Sequence, residues 1–189
     1  MRRGLTAAIA AAAALVAVAV AVVPSVVLGQ GRESSFVAAL SGYQETPTLN
    51  SHGRGSFSAS VDDAGSRITF RLSYSGLTNV TQAHIHLGAR AIAGGIAAFL
   101  CGPVGAPGNT KPTCPTSPAT ITGTIVPSDV VAIPAQGLPA GDFADLVRAV
   151  RAGATYANVH TTAFPAGEIR GQIGRELDIR QDEETASDN

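Results

Sequence analysis

Strict alternation of apolar and polar side chains in two neighbouring segments restricts the fold most, because it fits β-strands with one buried face. In Gly55–Val61 the larger apolar residues alternate with serines, and in Ile68–Tyr74 they alternate with threonine, arginine and serine. The turn-forming sequence Asp62-Asp63-Ala64-Gly65 lies between the two segments. Together these features predict an antiparallel hairpin.

Six further segments resemble short strands, with turn residues between them: 36–40, 83–88, 95–100, 119–126, 154–161 and 168–174. In the last of these, Ile169 and Ile173 are expected to be buried, while Glu168, Arg170 and Gln172 face outward. Many short strands at this spacing favour an all-β fold. We expect an antiparallel two-sheet β-sandwich with Greek-key-like connections.

One segment has helical spacing instead. Phe143, Leu146, Val147 and Val150 recur at i, i+3, i+4 and i+7. Asp142 is suited to cap the N-terminus of a helix, and Gly153 is suited to end it. The sequence therefore predicts one short amphipathic helix that packs against the strands.

The N-terminus has the pattern of an export signal. Arg2 and Arg3 precede an apolar segment from Ala7 to Val23, and the small residue Gly29 comes just before Gln30. This pattern predicts a signal peptide over residues 1–29 that is cleaved after Gly29. The alternative is a retained transmembrane anchor, because 17 apolar residues are at the short limit for a span. Cleavage would leave a secreted protein with no membrane segment, and the export route stays open.

Charge argues against nucleic acid as a partner. Without Arg2 and Arg3, the 13 lysines and arginines fall to 11 against 14 acidic residues, a formal charge of −3. No basic stripe with interleaved aromatic residues is present, although such a stripe is typical of nucleic-acid binding. Acidic residues are concentrated near the C-terminus, so residues 175–189 are expected to form a disordered tail. Residues 30–35 are expected to form a short leader before the domain.

The two cysteines, Cys101 and Cys114, flank a segment rich in glycine and proline. In an exported protein this arrangement most simply predicts a disulfide. A metal site with thiolate ligands is the weaker alternative, because neither cysteine belongs to a C-x-x-C pair.

Three of the four histidines lie in two strand-like segments. His84 and His86 are separated by one residue, so in a strand their side chains share one polar face, roughly 7 Å apart at Cα. In the segment Tyr156–Thr161, Asn158 and His160 take the polar side in the same way. If the two segments are neighbours in a sheet, His84, His86 and His160 meet.

Three ordered motifs resemble the CHRD domain family, a module named after chordin and also found in bacterial secreted proteins. They are FVAALSGYQETP at 36–47, AHIHLG at 83–88 and YANVHTTAFPAGEIRGQ at 156–172. The resemblance covers residues 36–174 and implies a β-sandwich module on an extracellular protein. The His-x-His strand is also similar to the metal strands of copper/zinc superoxide dismutases, but the histidines and aspartate needed for a second metal are missing.

Two interpretations of the histidines follow. In the first, His84, His86 and His160 bind one zinc or copper ion, and Asn158 and Glu168 accept ring N–H groups that fix the tautomers. An open fourth position would permit redox or hydrolytic chemistry. In the second, the rings form a half-exposed polar cluster that pairs with Thr161, Glu168 or Arg170 and holds strand register. Metal titration distinguishes the two.

The sequence favours a secreted CHRD-type binding or structural module whose extracellular ligand is unknown. The alternative is a metal-binding protein with redox activity. No nucleophile elbow, phosphate-binding loop or dinucleotide fingerprint is present, so enzymatic activity is not the favoured interpretation. His52 lies in a turn and is expected to be exposed, and Glu45 is a carboxylate that could approach the histidines.

Overall fold

The structure, a computed structural model, describes residues 34–62 and 64–176. The predicted signal peptide, the first four leader residues and nearly all of the predicted acidic tail lie outside these ranges. Within them, no helix is both long enough and apolar enough to cross a membrane.

The described residues form nine strands and one α-helix. The strands are β1 Ser34–Ser41, β2 Arg54–Val61, β3 Ile68–Ser75, β4 Val80–Leu87, β5 Gly95–Cys101, β6 Ala119–Ile125, β7 Thr155–Thr161, β8 Ile169–Gln172 and β9 Gly174–Arg175, and the helix is α1 Phe143–Arg151. Each predicted strand is present, and the last one is divided into β8 and β9.

The predicted hairpin is confirmed by the pairing of β2 with β3. The two strands are antiparallel and in register from Arg54↔Ser75 to Val61↔Ile68. At the turn, the Asp62 carboxylate accepts hydrogen bonds from the backbone N–H groups of Ser66 and Arg67 at 2.7 and 3.0 Å. The aspartate therefore fixes the connection that the turn sequence predicted.

The two-sheet sandwich is not confirmed, because the strands form one antiparallel sheet in the order β5-β4-β7-β8-β1-β2-β3-β6. Strand β1 lies between the β5-β4-β7-β8 part of the sheet and the β2-β3-β6 part. One of its edges pairs with β2, and the other pairs with β9 at Phe36 and Val37 and with β8 at Ser41. The first and last strands, β5 and β6, contact each other, so the sheet is curled almost into a barrel. Alternation specifies which face of a strand is buried, but not which edges pair.

The apolar sides of the strands form one core inside this curled sheet. It includes the fully buried side chains of Phe36, Phe57, Phe70, Ile85 and Ile169. The predicted helix is confirmed as α1, with all four of its spaced apolar residues buried. Asp142 caps the helix by accepting a hydrogen bond from the Asp145 N–H at 3.0 Å. Gly153 follows the helix with a φ of +67°, which favours glycine.

The predicted disulfide is confirmed. Cys101, at the end of β5, is bonded to Cys114, and both cysteines are buried. The bond closes the proline- and glycine-rich segment between β5 and β6. Lys111 in that segment donates to the Asp129 carboxylate at 2.6 Å and to the Thr124 carbonyl at 2.7 Å, which attaches the segment to β6.

Candidate metal centre

Pairing of β4 with β7 brings the three predicted histidine ligands together. The strands are antiparallel, with Gln82 opposite His160 and His84 opposite Asn158. His84, His86 and His160 therefore share one face. Their ring centroids are 4.8 to 5.8 Å apart, and one nitrogen from each ring lies within 4.8 Å of the other two.

The three rings are buried, not half-exposed as the polar-cluster interpretation supposed. His84, His86 and His160 are 0%, 7% and 5% exposed. Phe99 packs edge-on against His84 with centroids 4.5 Å apart, and Tyr156 stacks on His86 at 4.8 Å with the ring planes within 4° of parallel. Aromatic neighbours therefore exclude water from a face that strand alternation alone identifies only as polar.

Backbone carbonyls fix the tautomers of two of the rings. His86 Nδ1 lies 2.9 Å from the Gly94 oxygen, and His160 Nδ1 lies 3.0 Å from the Pro165 oxygen. A carbonyl oxygen can only accept, so each Nδ1 carries the proton and donates. Nε2 is therefore the unprotonated nitrogen of His86 and of His160, the form in which an imidazole nitrogen binds metal.

The third ring completes the cluster. His84 Nδ1 lies 3.1 Å from His160 Nε2, to which it donates in the metal-free protein. The Nε2 atoms of His84 and His86 are buried and have no hydrogen-bond partner among the described residues. Two nitrogen ligands of a tetrahedral zinc ion are about 3.3 Å apart, given Zn–N bonds of about 2.0–2.1 Å. The observed separation of 3.1 Å is close to that value.

The environment keeps all three rings neutral. Burial, followed by the neighbouring His160 and His86, lowers the pKa of His84 to about 2. Burial also lowers the pKa of His86 to about 4, with a smaller effect in the same direction from Arg170. The pKa of His160 is lowered by burial as well. At neutral pH each ring therefore carries one proton and no charge, as imidazole ligands of a metal must.

The residues predicted to support the rings have other partners. Asn158 Nδ2 donates to Glu45 Oε1 at 2.7 Å and to the Ile169 carbonyl at 2.8 Å. Glu168 accepts from Ser51 Oγ at 2.7 Å and from Thr161 Oγ1 at 2.6 Å. Neither side chain bonds a histidine ring. Carbonyl oxygens take that role, and because every residue has one, no sequence signal could have identified them.

Two of the residues predicted to face outward are instead buried: Glu168 is 8% and Arg170 3% exposed. The face of β8 that carries them is covered by connecting segments. Ser51, before β2, bonds Glu168, and Ala89, in the β4–β5 connection, accepts from Arg170 Nη2 at 2.9 Å. Alternation along β8 could not show this, because the covering segments come from distant parts of the sequence.

Arg170 and Tyr156 border the centre and were not predicted as site residues. The guanidinium carbon of Arg170 lies 3.5 Å from the ring centroid of Tyr156, which itself stacks on His86. Glu45 reaches this region through its hydrogen bond from Asn158, and burial raises its pKa. His52 is exposed, as predicted, and is not part of the cluster.

Comparison with known proteins identifies one family. A family model described as the CHRD domain matches residues 36–173, a range that contains all three clustered histidines. No curated protein matches the chain.

Proposed function

The chain belongs to the CHRD domain family, and from this premise we propose that it is an extracellular module that binds one zinc or copper ion. The ligands are His84, His86 and His160. The binding role and the metal site, which the sequence offered as alternatives, are combined in this proposal.

The observation that carries the proposal is the state of the ring nitrogens. Carbonyls hold the Nδ1 protons of His86 and His160, so the Nε2 atoms of both rings are unprotonated. The Nε2 atom of His86 has no partner among the described residues, and that of His160 accepts from His84 Nδ1. A purely structural polar cluster would be expected to satisfy its buried nitrogens. Here two of them have no partner among the described residues, and each such group costs about 1–3 kcal/mol. A metal ion bound by His86 Nε2 would remove that cost at His86.

Binding is favoured over catalysis because the rings are enclosed. None of the three histidines is more than 7% exposed, so a substrate has little access to an ion between them. Redox activity, which the sequence raised as an alternative, would require electrons to pass through the surrounding side chains. We therefore propose a binding or structural role for the metal.

Export is the second part of the proposal. It is supported by the predicted signal peptide over residues 1–29 and by the Cys101–Cys114 disulfide, since disulfides persist in oxidising compartments. Mass spectrometry of the protein recovered from outside the cell should find a mature chain beginning at Gln30. A chain recovered only in the cytoplasm, with residues 1–29 retained, would refute this part.

Calorimetric titration of metal-free protein tests the metal site. We expect one equivalent of Zn²⁺ or copper to bind with a dissociation constant below about 1 μM, which corresponds to about 8 kcal/mol, because structural zinc sites bind with about 10–16 kcal/mol. The double variant His84→Gln/His160→Gln should lose this binding. His52→Gln removes an exposed histidine and is the matched control. Binding weaker than micromolar for both metals, or equal binding by the double variant, would refute the site.

A further inference from the structure

Among the described residues, no carboxylate forms a hydrogen bond with a ring of the candidate metal centre. The three imidazoles are neutral ligands, and the atoms that accept protons from His86 and His160 are carbonyl oxygens, not carboxylates. Glu168, the nearest carboxylate in sequence to His160, is bonded to two hydroxyl groups instead. The charge of an ion at this buried site would therefore not be neutralised by its ligands or by their hydrogen-bond partners.

A positive charge lies close to the same site. Arg170 is 3% exposed, and its guanidinium covers the Tyr156 ring that stacks on His86. Its hydrogen bonds go to neutral oxygens, the Ala89 carbonyl at 2.9 Å and the Thr46 hydroxyl at 3.4 Å. The ion pairs Lys111–Asp129 and Asp145–Arg148 lie elsewhere. Among the described residues, Arg170 is thus a buried cation that forms no salt bridge, although Glu45 attracts it electrostatically.

We propose that the three-histidine centre selects copper in its monovalent state over divalent ions, and that Arg170 contributes to this selection. The inference rests on the proposed function, because it presumes that the histidines bind metal. It goes further by assigning the charge of the ion.

The physical reason is the cost of burying charge. Transfer of an ion from water to a medium of low dielectric costs more as its charge rises, and neutral ligands leave that charge uncompensated. Repulsion from a fixed cation is also twice as large for a divalent ion as for a monovalent one. Three imidazoles suit both copper and zinc as ligand types, so charge decides between them.

Glu45 attracts Arg170 electrostatically and so offsets only part of its effect. Its carboxylate accepts from Asn158 at 2.7 Å and forms no ion pair with the guanidinium. Burial raises the pKa of Glu45, and the hydrogen bond from Asn158 and the charge of Arg170 oppose this by smaller amounts. Because Arg170 is itself buried, a change in its charge has a large electrostatic effect at the His86 ring.

Competition titrations measure the selection. Metal-free protein is titrated anaerobically with Cu(I) buffered by a coloured copper(I) chelator, and separately with Zn²⁺ against a zinc indicator. We expect Cu(I) to bind at least a hundredfold more tightly than Zn²⁺. Equal or tighter Zn²⁺ binding would overturn the inference while leaving the proposed metal site standing. Failure of both ions to bind would refute the proposed function itself.

Arg170 variants test the source of the selection. Arg170→Gln removes the charge and should lower the Cu(I)-to-Zn²⁺ affinity ratio about tenfold. With Cu²⁺ as the divalent ion, the same change would lower the copper reduction potential by 59 mV for a one-electron couple. Arg170→Lys keeps the charge, and Arg71→Gln removes an exposed arginine from β3; both should retain the wild-type ratio. An unchanged ratio in folded Arg170→Gln would overturn the role of Arg170, and the wild-type ratio tests the selection even if that variant does not fold.

Discussion

The Nδ1 atom of His84 lies 3.1 Å from the Nε2 atom of His160, although 76 positions separate the two residues in the sequence. Pairing of β4 with β7 makes this contact, because it places Gln82 opposite His160 and so sets His84 diagonally across from it. The contact fixes proton positions throughout the cluster. His160 Nε2 can accept from His84 only if the proton of His160 is on Nδ1, where the Pro165 carbonyl receives it.

This arrangement predicts the tautomers of the metal-free protein. At pH 7, His86 and His160 should both be in the Nδ1–H form, because both donate to carbonyl oxygens. Long-range nitrogen–proton NMR spectra of the ¹⁵N-labelled protein report the protonated nitrogen of each ring. His52, which is exposed, serves as the internal control. An Nε2–H signal from His86 or His160 would contradict the proposed ligand geometry.

Acid should destabilise the metal-free protein. The pKa of His86 is about 4 in the folded protein, against 6.5 for the unperturbed group. As the pH falls below about 6.5, the unfolded chain binds a proton that the folded protein excludes. The free energy of unfolding then falls by about 1.4 kcal/mol per pH unit for each such histidine. For His86 alone the loss reaches about 3 kcal/mol by pH 4.

Urea unfolding at several pH values between 7.5 and 4.5, in the presence of a chelator, measures this dependence. His86→Leu should reduce the slope of stability against pH, whereas His52→Gln should leave it unchanged. The raised pKa of Glu45 acts in the opposite direction, because the folded protein then binds a proton before the unfolded chain does. One carboxyl offsets only part of the effect of three histidines. A stability that is flat or rises toward pH 5 would contradict the prediction.

Local features of the fold could be predicted from sequence because they depend on nearby residues. Alternation in 55–61 and 68–74 identified the β2–β3 hairpin, and helical spacing with Asp142 identified α1. The same period of two placed His84 and His86 on one face. The sheet arrangement was not predictable in this way, because it depends on which distant edges pair with β1.

The surroundings of the site illustrate the same limit. Nothing in the alternation of β8 distinguishes a solvated Arg170 from one that is covered by the β4–β5 connection. The Gly94 and Pro165 carbonyls that fix the ring protons lie in connecting segments whose paths depend on the whole fold. Residue types therefore indicated the ligands, whereas their protonation and burial required tertiary structure.

Removal of the disulfide should lower stability without weakening the metal site. Cys101 and Cys114 are 13 positions apart, and closing a loop of this size stabilises a protein by about 3 kcal/mol. The double variant Cys101→Ala/Cys114→Ala should therefore lose about 3 kcal/mol in urea unfolding. Wild-type protein unfolded in a reducing agent is the matched control and should have nearly the same stability as the variant. A loss below about 1 kcal/mol would show that the Lys111–Asp129 pair and neighbouring contacts already order the segment.

Substitution of Glu168 separates structural support from metal binding. Both carboxylate oxygens accept hydrogen bonds from buried hydroxyls, Oε1 from Ser51 and Oε2 from Thr161. Glu168→Gln replaces one acceptor with an NH₂ group facing a hydroxyl, so we expect a loss of about 2 kcal/mol in urea unfolding. Glu45→Gln is the matched control. The Glu45 contact with Asn158 uses one oxygen, which the amide carbonyl retains, so the loss there should stay below about 1 kcal/mol.

Neither carboxylate touches a histidine ring, so both variants should bind metal within about threefold of wild type when titrated below their unfolding transitions. Partners that orient metal ligands typically cost about 10–100-fold in affinity when they are removed. A loss of that size in Glu168→Gln, with Glu45→Gln unaffected, would show that Glu168 moves to accept a ring proton once the ion binds. The rings would then exchange a neutral acceptor for a carboxylate, which would favour divalent ions and contradict the inferred preference for Cu(I).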